Sequence, residues 1–162
     1  MVTFPFPNPD QAWVLPHHLW HVDFHYAIPT SGPPFGLKEF ALFGDIGPRG
    51  GGTLLISRSH RMVAEFLLEQ PEALRRDFRR TRLRFMGRHP WLAELARPGT
   101  EPSRTRRFMD HDTDVNRITA RVVELTGQAG DVALSHPWVV HHVAPNTSER
   151  PRFMRAQSLC RT

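Results

Sequence analysis

Cysteine and lysine are almost missing from this chain: Cys160 and Lys38 are the sole examples of each in 162 residues. One cysteine excludes an internal disulfide, and the cytoplasm is the simplest compartment to expect. No apolar run approaches the roughly 20 residues of a membrane helix, so a membrane partner is not expected. The start, MVTFPFPNPDQAW, has no basic segment followed by a continuous apolar stretch, so no secretory leader is expected either. Lysine's scarcity means that nearly all of the 21 basic residues are arginines, and the net charge is +5. Arg75, Arg76, Arg79, Arg80, Arg82, Arg84 and Arg88 crowd one segment, with Arg104, Arg106 and Arg107 soon after. No zinc-finger spacing and no RNP-like aromatic motif accompanies them, so nucleic acid is not the expected partner. A solvated helix face is the ordinary reading of such a run, and docking of an anionic small molecule or carrier is the functional one.

What is present is ordinary globular material. Hydrophobic residues make up 40% and charged residues 23%, and the length suits one domain over residues 1–162 with a single continuous core. Residues 11–15, 20–27, 38–46 and 53–57 read as short strands, punctuated by PTSGPP and GPRGGG. From Arg61 the period changes. Met62, Val63, Phe66 and Leu67 recur at helical spacing, and Pro71 is placed to open a second helix carrying Leu74 and Phe78. An inserted helical segment around residues 60–97 is therefore expected, then a loop over 98–107. Strands resume over 118–125, 131–135, 139–143 and 152–159. The expected fold is mostly β, a sandwich or barrel with a helical excursion.

Two polar constellations stand out. In WHVDF, His21 and Asp23 are two apart, so in an extended strand they share one face. That face is either a wet surface, continued by His25, or a binding site. The second constellation is GDVALSHPWVVHHVAPNTSERPRFMR. One of His141 and His142 must face inward, and alternation alone does not choose between them. After the Pro145-Asn146 turn, Arg150, Arg152 and Met154 alternate with Pro151 and Phe153, and an inward arginine in a barrel is costly unless it meets an anion. Gly50, Gly51 and Gly52 fit a tight turn, because no P-loop lysine follows them. His60, His136, Trp138 and Asn146 read as structural, with Ser57 or Ser59 able to cap a helix.

WHVDF, FALFGDIGPRGGGTLLISRSHR and GDVALSHPWVVHHVAPNTSERPR, in this order, resemble the phytanoyl-CoA dioxygenase family of iron(II)- and 2-oxoglutarate-dependent oxygenases. The resemblance runs over about residues 11–160 and implies a double-stranded β-helix, or jelly roll. It implies His21, Asp23 and His141 as iron ligands, Arg152 as partner of the far carboxylate of 2-oxoglutarate, and Phe40 near a cosubstrate-walling position often held by tryptophan. Two imidazoles and a carboxylate leave open metal positions, as non-haem oxygenases require. The implied reaction hydroxylates a C–H bond of a small organic molecule or thioester, releasing succinate and carbon dioxide. The N-terminal part is shorter than in most members, and Val143 stands where some carry a hydroxyl. A cupin-like metalloprotein without 2-oxoglutarate and a non-catalytic jelly-roll binding module are the alternatives. The substrate and the oligomeric state are not readable from the sequence.

Overall fold

The alternating sequence GLKEFAL buries Lys38, Phe40 and Leu42 on one face and forms the strand around which the polar half of the molecule is organised. The computed structural model describes residues 2–3, 6–23, 36–71, 75–99 and 101–160. In chain order the described elements begin with β1 (Val2–Thr3), β2 (Gly36–Leu42) and β3 (Thr53–Ile56), followed by the helices α1 (Ser59–Leu68), α2 (Phe78–Gly87) and α3 (Pro90–Leu95). A short helical turn, Ser103–Thr105, runs into a π-helical turn, Arg106–Asp110. Six further strands follow: β4 (Thr113–Val115), β5 (Ile118–Ala120), β6 (Val122–Glu124), β7 (Val132–Ser135), β8 (His141–Val143) and β9 (Met154–Cys160).

The strands make small antiparallel sheets, ordered β1-β9-β2-β7 and β6-β3-β8, with β4-β5 as a separate hairpin. In the first sheet Lys38 pairs with Ser158, Phe40 with Ala156 and Leu42 with Met154. In the second, Thr53 pairs with Val143 and Leu55 with His141. Because side chains alternate, β3 serves two compartments. Leu54 and Ile56 are fully buried in a large core with Met62, Val63, Phe66 and Leu67 of α1, Phe85 of α2 and Trp91 of α3. Leu55 points the other way, packing with Phe40, Leu42 and Met154 of the first sheet. The second sheet thus has an apolar, helix-covered side and a side turned toward β2 and β9.

The helical segment follows its sequence signals in part: Phe78 is not carried by a helix opened at Pro71 but is the first residue of α2, because the Asp77 side chain caps a new helix there. The spacing of Met62, Val63, Phe66 and Leu67 sets the buried stripe of α1. Asp77 caps α2 by accepting the Arg80 N–H at 2.9 Å, and Pro90 opens α3, where His89 Nδ1 accepts the Trp91 N–H at 3.1 Å. Leu74, assigned to a helix opened by Pro71, lies outside the described residues, as do Phe24 to Ala27 of the proposed 20–27 strand and the PTSGPP turn.

Four local expectations need correction. Residues 11–15 form no strand: Trp13 and Leu15 alternate inward, but the Leu15 N–H donates to Glu101 Oε1 at 3.1 Å instead of a neighbouring strand. Residues 98–107 are not a plain loop, because Arg104 is buried and donates to the carbonyl oxygens of Pro16, Glu94, Leu95 and Arg97, winding that stretch inward. The 118–125 strand is two, parted at Arg121, whose N–H goes to Ser57 Oγ at 2.9 Å. Neither Ser57 nor Ser59 caps α1, since Ser59 Oγ accepts the buried Val140 N–H at 2.8 Å. Both serines fasten strands to the start of α1 instead.

Candidate metal centre

His21 and Asp23 flank Val22, which is fully buried in the large core, so the residues on either side turn the opposite way. The strand logic survives here with very little strand. His21 makes one antiparallel bridge, its N–H donating to the His141 carbonyl at 3.1 Å and its carbonyl accepting from His141 N–H at 2.8 Å. That two-bond bridge sets the two histidine rings side by side, with centroids 4.5 Å apart. The choice between His141 and His142 follows from register. His141 lies opposite Leu55 and shares its cavity side, while His142 lies opposite Leu54 and points back toward Trp20, 5.6 Å between ring centroids, and His18. Burial there holds the His142 pKa below its ordinary value.

The three side chains converge. His21 Nε2 is 3.3 Å from Asp23 Oδ1, and His141 Nε2 is 3.5 Å from Asp23 Oδ2. One donor atom from each residue lies within 4.8 Å of the others. Both rings are oriented in the same way. His21 Nδ1 donates to the Leu19 carbonyl at 2.8 Å and His141 Nδ1 to the Val139 carbonyl at 3.0 Å, which turns both Nε2 atoms toward the carboxylate. Backbone anchoring of Nδ1 is the usual way a protein fixes a metal-binding tautomer. The donor set suits iron(II): two neutral imidazoles and one carboxylate on one side leave further coordination positions toward the cavity.

Asp23 is held well below the usual carboxylate range, chiefly by hydrogen bonding with His141, then with His21, and also by Lys38. His21 is pushed up by Asp23 against the opposing effect of burial. The Lys38 ammonium contacts Asp23 Oδ2 directly. Lys38 was not singled out from the sequence. Its signals were its uniqueness among arginines and its place two residues before Phe40, hence on the same face.

An open cavity of about 480 Å³ lies in front of this cluster, lined among others by Lys38, Phe40, Thr53 and Arg152. Phe40 is buried and stands edge-on to His141, 6.1 Å between centroids. Arg152 is 2% exposed, and its Nη1 donates to the Gly51 carbonyl at 2.7 Å. Burial lowers its pKa to about 10, which still leaves it protonated at neutral pH. The glycine turn explains that carbonyl's position. Gly51 has φ +79°, and a Cβ on Gly52 would meet the Leu125 carbonyl oxygen at 2.2 Å, so the chain passes where side chains do not fit. Asn146 braces the facing turn, its Nδ2 donating to the Arg150 carbonyl at 2.8 Å and its Oδ1 accepting from Ser148 N–H and Oγ–H.

Two further histidines, His60 and His136, lie apart from this cluster. His60 stacks on His136 at 5.0 Å, and burial depresses both pKa values. Among the described residues, the arginine segment is mostly a solvated helix face. Arg88 forms a bidentate pair with Glu69 at 2.6 and 2.7 Å, and Arg79, Arg80 and Arg84 are exposed.

A cavity between antiparallel sheets, with two oriented imidazoles and a carboxylate on its wall, defines the class of a candidate mononuclear metal protein. The family model for phytanoyl-CoA dioxygenase (PhyH) matches residues 4–154, and the chain belongs to that family. None of the curated proteins matches the chain in sequence. The family is one of iron(II)- and 2-oxoglutarate-dependent oxygenases. Among the described residues no helix is long and apolar enough to cross a membrane.

Proposed function

We propose that this protein is an iron(II)- and 2-oxoglutarate-dependent oxygenase that hydroxylates a C–H bond of a small organic molecule, with the two sheets acting as the halves of a double-stranded β-helix. The observation that carries this reading is the convergence of His21, Asp23 and His141 within 4.8 Å on the wall of an open cavity, in a chain of this family. His21 and His141 would hold the metal through Nε2, each ring fixed by its Nδ1 bond to a backbone carbonyl, and Asp23 would supply the anionic ligand. Bound iron(II) and 2-oxoglutarate supply the oxygen activation, with succinate and carbon dioxide as co-products.

The remaining residues bind and orient. Arg152 is the proposed partner of the far carboxylate of 2-oxoglutarate. Its Nη1 bond to Gly51 aims the guanidinium, and a charge-assisted pair with a carboxylate offsets the cost of burying it. Phe40 supplies an apolar wall beside His141 and keeps water from that side of the site. Thr53, opposite Val143, offers a hydroxyl at the same cavity.

Turnover tests the reading. Iron-loaded protein given 2-oxoglutarate under air should release succinate, slowly without substrate, and the His141→Ala protein should release none. Stoichiometric iron uptake with no succinate and no 2-oxoglutarate binding would favour a cupin-like metalloprotein instead.

A further inference from the structure

Lys38 deserves a role of its own in a chain that otherwise writes its basic residues as arginine. It is 7% exposed, it sits on β2 with its side chain on the Phe40 face, and its ammonium reaches Asp23 Oδ2 and lies over the Phe40 ring, 5.8 Å from the centroid. Burying an ammonium is expensive, and a buried cation is kept only where an anion repays it. Here the anion is shared. Asp23 is the only acidic residue among the described residues that line the cavity, and it also serves both histidines.

The charge balance points to a ligand. Among the described residues, Lys38 and Arg152 bring two positive charges to the lining against the single carboxylate of Asp23. A divalent metal on Asp23 would draw the same oxygens away from the ammonium and raise the positive charge of a partly enclosed space. A dianionic cosubstrate paired with Arg152 lowers that charge without cancelling it: metal, Lys38 and Arg152 against Asp23 and the dianion leave one positive charge. Lysine suits such a site better than arginine, because a flexible stem with a point charge can turn from one carboxylate to another without the fixed fork of a guanidinium.

We propose that Lys38 is the substrate anchor of this site, and that the substrate carries a carboxylate which the Lys38 ammonium binds beside the metal. This rests on the oxygenase reading above. It assigns a substrate class and a specificity residue, and leaves the 2-oxoglutarate carboxylate to Arg152.

Manganese(II) gives a redox-silent, paramagnetic test. Wild-type protein loaded with manganese(II) and 2-oxoglutarate is titrated with acetate and separately with acetamide, following paramagnetic relaxation of the methyl protons. Acetate should be relaxed at least tenfold more than acetamide at equal concentration. In Lys38→Met that preference should be lost, while manganese(II) binds at least as tightly and 2-oxoglutarate affinity, read by calorimetry, changes less than threefold. Lys38→Arg, which keeps the charge, should recover part of the acetate effect and guards against misreading a damaged fold. Equal relaxation by acetate and acetamide in the wild type would overturn the proposal. So would an acetate effect unchanged in Lys38→Met, which would mean direct ligation to the metal. A 2-oxoglutarate affinity that falls more than tenfold in Lys38→Met would reassign Lys38 to the cosubstrate. Wild-type protein that takes up no manganese(II) or no 2-oxoglutarate would sink the oxygenase reading itself, and the proposal with it.

Discussion

The β6-β3-β8 sheet has two sides made by adjacent residues of the same strands, and they differ in almost everything else. On one side Leu54 and Ile56 are sealed beneath α1 with Trp20 and Val22 among their neighbours in a continuous apolar core. On the other, Thr53 and His141 face an open cavity with Asp23, Lys38 and Arg152. The first side is closed by shape and solvent exclusion. The second is held by directed bonds: two Nδ1 donors to backbone carbonyls, an arginine on a glycine carbonyl, and a lysine on a carboxylate. Stability and chemistry are thereby separated by one residue of strand register. A change on one side should cost folding free energy, and a change on the other should cost ligand binding.

The largest expected effect tests that separation at the cavity. His141→Ala should weaken divalent metal binding by more than the roughly 10–100-fold typical of losing a ligand's supporting partner, while thermal unfolding of the metal-free protein stays near that of the wild type. Calorimetry with manganese(II) and a melting curve check both halves. Leu54→Ala is the mirror experiment. It should cost about 2–5 kcal/mol of stability by leaving a cavity in the helix-covered core, with metal stoichiometry per folded molecule unchanged. Denaturant titration reads the first quantity, and metal analysis of the folded fraction the second.

Arg152→Met should leave metal uptake intact and weaken 2-oxoglutarate by roughly 10–100-fold, corresponding to about 1.5–3 kcal/mol for a hydrogen bond to a charged group. Ser59→Ala is a smaller effect that joins the two sides. It strands the buried Val140 N–H, one residue from His141, and should cost about 1–3 kcal/mol of stability with little change in metal affinity.

The smallest effect is one of pH. The His21 pKa is raised in the folded state above its ordinary value of 6.5 by hydrogen bonding to Asp23. In metal-free protein this contribution is fully present below about 6.5, the unfolded value, and is lost as pH rises through the higher folded value. Stability of the metal-free protein should therefore sag slightly across neutral pH. With metal bound the sign reverses, because only the neutral imidazole can ligate. Melting curves between pH 6 and 8, with and without manganese(II), would show opposite slopes.

Part of this was legible from the residues and part was not. The apolar stripe of α1 was readable because helical period and burial coincide at Met62, Val63, Phe66 and Leu67. His21 and Asp23 were readable as a pair because strand period puts both on one side, even though a single bridge replaces the expected strand. His141 was separable from His142 only through a family register. The physical reason, pairing with Leu55 and not Leu54, depends on a strand some 85 residues away in sequence and leaves no local mark. The strand expected at residues 11–15 failed because a side chain, Glu101, took the Leu15 N–H that a ladder would have used. The burial of Arg104 leaves no local mark, because its four carbonyl partners lie outside its own turn, at Pro16 and at Glu94, Leu95 and Arg97 around the end of α3. The place of Lys38 at the site leaves no local mark, because its partner Asp23 comes from a separate stretch of chain.

The most direct test of the central claim is anaerobic titration of iron(II)-loaded protein with 2-oxoglutarate, watching for the weak visible absorption band of a keto acid chelated to iron(II). The band should appear with one equivalent of each, vanish in His141→Ala, and require much more 2-oxoglutarate in Arg152→Met. Iron bound at one equivalent with no band at any 2-oxoglutarate concentration would contradict it.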